Sequence, residues 1–259
     1  ITLTNNSSNA NIGVYYTGAN TKTAVHGAGI ILAGANQEVG IYANGGINVT
    51  NSKNITDNTA TGSVGALVSG GSTYTATGNF NRTTAGAAVG YYVDNGTADN
   101  RGTINLTGAG ATAAGMVAEG SASAIATVKN NSTITADNAV GMVALTGTGT
   151  SIGINAGTIN VTTGTGVYVD GGTANLGTTG NLTFNFLAGG GIGVFNNGGT
   201  LNLGNNITVT GSGSLAATSN GSLNSTGNLN IGEGATGMLG TYDSAMTGPQ
   251  SISNTGGTI

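Results

Sequence analysis

Cysteine and tryptophan are absent from the 259-residue chain, and there is a single proline. The missing cysteine excludes a disulfide framework and a thiolate metal site. Charge is almost as scarce, with 5 Lys and Arg against 9 Asp and Glu, a net charge of −4, and 5% charged residues in all. An ordinary soluble domain carries roughly 25%. The five basic residues, Lys22, Lys53, Arg82, Arg101 and Lys129, are scattered, so no nucleic-acid face is expected. No apolar run approaches the ~18 residues of a membrane-spanning helix. Lys, Glu and Gln are too few for a helix bundle, and glycine lacks the three-residue period of collagen. The many Thr, Val and Ile residues argue against disorder. What remains is an all-β chain with many turns, and 50 glycines to make them. No signal peptide is visible at Ile1-Thr2-Leu3-Thr4, and the chain is expected to be part of a longer protein.

A repeat organises the whole chain. The run Val39-Gly40-Ile41-Tyr42-Ala43 has counterparts around Gly13, Gly65, Gly90, Gly115, Gly141, Gly166 and Gly193. These glycines are spaced 27, 25, 25, 25, 26, 25 and 27 residues apart. A degraded copy at Gly213-Ser214-Leu215-Ala216-Ala217, with Ser214 in the glycine's place, and a last one at Gly237 follow at shorter steps. Two more short strand-like runs complete each repeat. One set includes Gly46-Ile47-Asn48-Val49 and Thr200-Leu201-Asn202-Leu203; the other includes Gly102-Thr103-Ile104-Asn105-Leu106 and Gly157-Thr158-Ile159-Asn160-Val161. Short strands bounded by Gly, Asn, Ser and Asp are the expected pattern.

Three strands and three turns in about 25 residues make one coil of a parallel β-helix, with neighbouring coils supplying the core that one coil lacks. About ten coils at the ~4.8 Å strand spacing predict a rod roughly 45–50 Å long. Right-handed crossovers are expected, because parallel connections strongly prefer that hand. Residues 1–259 are taken as one solenoid, with 197–259 less regular.

Alternation along a strand assigns faces. The residues one before, one after and three after the key glycine are expected in the core, as in Val39, Ile41 and Ala43. The glycine and the residue two after it are expected outside. That outward column contains Tyr15, Tyr42, Leu67, Tyr92, Val117, Val143, Tyr168, Phe195 and Leu239. It reads either as a binding surface, with Tyr15, Tyr42, Tyr92, Tyr168 and Phe195 as its aromatic members, or as a ladder of like side chains covering one another.

Other candidates are weaker. Asp94, Glu119 and Asp170 share the turn position four after the glycine, where Asn44, Ser69 and Asn197 also stand and Leu145 breaks the pattern. Adjacent acids at that spacing suit Ca²⁺ or glycoside hydrolysis. A polar residue before a glycine corner explains them equally well. His26 has no second His or Cys to complete a zinc site, and reads as a surface or turn residue. The Gly149-Thr150-Ser151-Ile152-Gly153 match lacks the helix that a nucleophile elbow needs. Arg82 and Arg101, near Asp94 and Asp99, read as members of short surface ion pairs. Thr-x-Thr runs at Thr73-Tyr74-Thr75, Thr133-Ile134-Thr135 and Thr208-Val209-Thr210 invite an ice-binding reading, but their placement along the chain looks irregular for a flat array. No cofactor and no metal are expected.

The Val-Gly-Ile-Tyr-Ala type of run, followed by Gly-Gly-x-Ile-Asn-Val and Gly-Thr-Ile-Asn-Leu runs, resembles the passenger repeats of large type V autotransporter adhesins. The likeness is greatest to the long outer-membrane adhesins of oral fusobacteria, and it extends from Ile1 to about Ile231. It implies a right-handed β-helix stalk, monomeric as a passenger, anchored at the cell surface by a C-terminal outer-membrane barrel outside this chain. It also implies adhesion to host cells or other bacteria through a surface protein or glycan. The absence of cysteine agrees with export in an unfolded state. The expectation is therefore a non-enzymatic stalk or adhesion segment; the alternatives are a purely structural spacer or a polysaccharide-active β-helix enzyme with a groove lined by Asp94, Glu119, Arg82 or Arg101.

Overall fold

The computed structural model describes residues 1–4, 11–19, 22–34, 37–59, 62–145, 149–154, 157–177, 180–204, 207–240 and 250–254. Among them there is no helix, and every strand pairing is parallel. The chain is a β-solenoid of about eight turns, about 25 residues apart. The turns marked by Gly13 to Gly193 form that regular stack, and shorter ones follow. Ile192 pairs with Ser214 and Ser214 with Thr236, a step of 22 residues each.

Each coil contributes three strands, illustrated by Glu38–Asn44, Asn48–Asn51 and Ile55–Asp57. The third strands stack into their own ten-stranded sheet. The first and second strands form one 18-stranded sheet, because Gly191–Leu203 and Gly213–Ser225 each run through a corner and belong to both rows. Corners elsewhere are turned by glycines with positive φ, such as Gly45, Gly70 and Gly171. They follow the polar turn residue that the sequence places there, and a left-handed backbone is cheap only for glycine.

The core is a continuous column of Ile, Val, Leu, Ala, Phe and Tyr drawn from all three rows. Its composition follows from stacking: β-branched and aromatic side chains pack well on pleated surfaces, and a strand buried on one face alternates buried and half-exposed residues. Ser72–Ala76 and Leu182–Phe186 show that alternation throughout.

The first-row strands do not alternate, and two expectations change as a result. In Ser63–Val68 and Ala88–Val93 the glycine and the residue after it are both buried, while the residues one before and two after are half-exposed. The strand bends at the glycine, as at a bulge. The glycine column therefore lies inside, not outside, and Val39, Val64, Val89 and Val140 lie outside, not in the core. The glycines are required by close approach. A Cβ at any key position from Gly13 to Gly193 would sit 2.4–2.8 Å from the backbone oxygen of the equivalent residue in the next coil. The register also moves the degraded copy by one residue. Leu215, not Ser214, takes the place of the glycine, since Ile192 pairs with Ser214 and Val194 with Ala216.

Candidate functional site

The first-row strands present two outward columns, and together these form the apolar stripe. Over the middle coils Ala114, Val117 and Val143 make a second hydrophobic cluster separate from the core, packed against Val89, Tyr92, Val140, Leu145 and Tyr168. Val117 is only 6% exposed although it points away from the solenoid axis, because its neighbours up and down the stack cover it. Leu145, the residue that broke the polar turn column, belongs to this cluster.

The aromatic members stack in pairs. The Tyr15 and Tyr42 rings are 5.1 Å apart, and Tyr168 and Phe195 lie 5.8 Å apart and nearly parallel at 15°. Tyr15, on the first first-row strand, is 52% exposed. Tyr42, Tyr92, Tyr168 and Phe195 are half-buried. The side chain of Leu239 lies outside the described residues.

The stripe and the turn column beside it are coupled, which the sequence reading missed. The Tyr15 hydroxyl accepts from Asn44 Nδ2 at 3.3 Å. The Tyr92 hydroxyl donates to the Glu119 carboxylate. The Tyr168 hydroxyl accepts from Asn197 Nδ2 at 3.3 Å, and the same amide donates to Asp170 at 3.3 Å. In each case a tyrosine two after its glycine meets the residue four after the next glycine. The signal was present in the sequence, since each tyrosine coil is followed by a coil with Asn or Glu at that position. Glu119 thus serves as a tyrosine partner as well as a turn residue. Among the described residues no three His, Asp or Glu side chains converge as a metal site would require.

Two charged candidates lie elsewhere than expected. Arg82 is fully buried, not on the surface. Its Nη1 reaches Asp57 Oδ2 at 2.7 Å, and both side chains are 0% exposed. Nη2 donates to the carbonyls of Thr59 at 3.0 Å and Ala85 at 3.3 Å. Asp57 further accepts from the Thr59 backbone at 3.0 Å, the Thr59 hydroxyl at 2.6 Å and the Ser63 hydroxyl. The corner loop leaving the third strand closes on itself through these bonds. Arg101, by contrast, makes the surface pair the sequence suggested, with Asp99 at 2.8 Å.

His26 is likewise buried, 5% exposed, at the end of the strand Thr23–His26. Its Nδ1 lies 3.0 Å from the Tyr16 hydroxyl. Burial holds its pKa below the ordinary value. A depressed histidine contributes stability above the unfolded pKa, about 6.5, and loses it as pH falls through the folded value. Amide exchange in Thr23–His26 is therefore expected to accelerate as pH drops below that point, after correction for intrinsic rates, and His26→Gln is expected to flatten the dependence. An unchanged profile in the variant would assign the acid sensitivity to another group.

The Gly149–Gly153 match falls on the strand Thr150–Ile154, with no helix after it. Compared with family models, curated proteins and solved structures, the chain finds no match.

Proposed function

We propose that the chain is a stalk and adhesion segment of a cell-surface protein, with contact made through the outward Tyr/Val stripe. The observation that carries this reading is the second hydrophobic cluster on the outside of the rod, flanked by the aromatic pairs Tyr15–Tyr42 and Tyr168–Phe195. An apolar strip with a polar margin is the usual mark of an interaction surface, and tyrosine offers an apolar ring with a polar tip to a protein or a sugar. The repeat's resemblance to autotransporter passengers supports a place at the bacterial surface, held by an outer-membrane barrel elsewhere in the parent protein. It also supports a partner on host cells or other bacteria. Stacked coils suit a stalk, since each coil is stabilised by its neighbours and length grows by repetition.

The test is Tyr42→Ser combined with Tyr92→Ser, measured in two assays. Binding of the chain to bacterial and epithelial cells is expected to fall markedly, with the β-sheet circular dichroism retained. Unchanged cell binding with a lowered melting temperature would leave the stripe as a stacking ladder and the segment as a spacer.

A further inference from the structure

The outer face of the ten-stranded sheet carries a different surface. Its outward residues over the four strands Thr133–Ala136, Gly157–Val161, Leu182–Phe186 and Ile207–Thr210 are only threonine and asparagine. They read Thr133-Ile134-Thr135, Thr158-Ile159-Asn160, Thr183-Phe184-Asn185 and Thr208-Val209-Thr210, with the middle residue of each run buried and the outer two open to solvent. The pairing places Thr133, Thr158, Thr183 and Thr208 in one column, and Thr135, Asn160, Asn185 and Thr210 in the next, without a register shift. The runs that look irregular along the chain are thus in phase in space. The run at Thr73 lies on the second row, whose outer face is interrupted by Asp99 and Lys129 paired side by side.

The array is held in place before any partner arrives. Asn160 donates to the Thr135 hydroxyl at 3.2 Å, Asn185 to the Asn160 carbonyl at 2.9 Å, and the Thr210 hydroxyl to the Asn185 carbonyl at 2.6 Å. One hydrogen-bonded ladder therefore crosses four coils, using one of the two N–H donors of each asparagine. Strand geometry makes the grid about 4.8 Å along the solenoid and about 6.6 Å across it.

We propose that this face binds ice. It has no charge to select an ionic partner and no ring to stack on a sugar, whereas the tyrosine stripe has rings. A dissolved molecule exchanges each of its bonds to water for one to the protein, at a net gain of only about 1 kcal/mol. A crystal whose oxygen rows recur at steps of similar size engages all eight side chains together, and rigid placement removes the ordering cost. The threonine column adds a methyl beside every hydroxyl, which suits a solid water surface better than the liquid. The inference does not depend on the adhesion reading, because the two faces share no residue.

The experiment compares the whole chain with Thr158→Lys plus Thr183→Lys, and with Thr173→Lys plus Thr200→Lys as a second-row control of equal charge. Freezing-point depression below the melting point and inhibition of ice recrystallisation are read on each, with circular dichroism to show folding. The wild-type chain and the second-row control are expected to arrest ice growth, and the third-row variant to lose that activity. If the lysines disturb folding, Thr158→Val with Thr183→Val removes the hydroxyls while keeping strand preference. No effect of the wild-type chain on ice, or equal loss in both variants, overturns the proposal. So does retention on crystalline cellulose that the third-row variant abolishes while ice growth is untouched, which would assign the face to a neutral polysaccharide.

Discussion

Replacing Arg82 with alanine is expected to lower the stability of the coils around it by about 3–5 kcal/mol, the usual cost of stranding one member of a buried ion pair. Asp57 is 0% exposed and would keep its charge without a counterion. The carbonyls of Thr59 and Ala85 would lose their Nη2 donor at the same time. The site is otherwise built for apolar residues. Along the third row the same column reads Leu32, Asp57, Arg82, with Leu32 fully buried. Replacing both partners, Asp57→Leu with Arg82→Leu, is therefore expected to recover more than half of the loss, since well-packed apolar residues often substitute for a buried pair at little cost. Urea unfolding of the two single variants and the double closes the cycle. A double variant no more stable than Arg82→Ala would mean that the corner loop depends on the pair itself, through the bonds from Thr59 and Ser63, and not on neutralising a buried charge.

Much of the solenoid is visible in the chain because its period is strict. The glycines from Gly13 to Gly193 mark the coils, and runs such as Gly157-Thr158-Ile159-Asn160-Val161 coincide with third-row strands. What alternation alone could not supply was the bend at each key glycine. A period of two assumes an unbroken pleat, so one irregular residue moved Val39 and Val89 from core to surface and the glycines from surface to core. Arg82 was misplaced for another reason. Scarce charges are normally solvated, and its partner lies on a different strand; yet Asp57 and Arg82 are 25 residues apart, one coil. The Thr133, Thr158, Thr183, Thr208 column has the same 25-residue step. It was obscured by threonines on the second row, which follow the same period at a different phase. In a stacked repeat, residues separated by one period are spatial neighbours, and side-chain pairs are sought there before they are sought along the strand.

The inward glycine column leads to the second large effect. Gly115→Ala is expected to destabilise the solenoid by about 2–3 kcal/mol, at the upper end of what overpacking a filled interior costs. The added methyl would stand 2.5 Å from the carbonyl oxygen of Gly141 and 3.1 Å from Ile104 Cγ2. Ile104 has a rotamer to move, but the carbonyl belongs to the parallel ladder that joins one coil to the next. Relief therefore requires the two coils to separate locally, and separation costs the burial of Met116 and Met142, which are both 0% exposed. The same substitution at Gly27 is the control. Nothing lies within 4 Å of a Cβ there, and its φ is not positive, so Gly27→Ala is expected to leave the midpoint nearly unchanged. Because each coil contacts only its neighbours, the damage in Gly115→Ala is expected to be local. Amide exchange should rise in Ala113–Ala118 and Val140–Ala144 and stay low in Glu38–Asn44. A neutral Gly115→Ala, or exchange raised equally along the rod, would show that the glycine column is not what sets the approach of the coils.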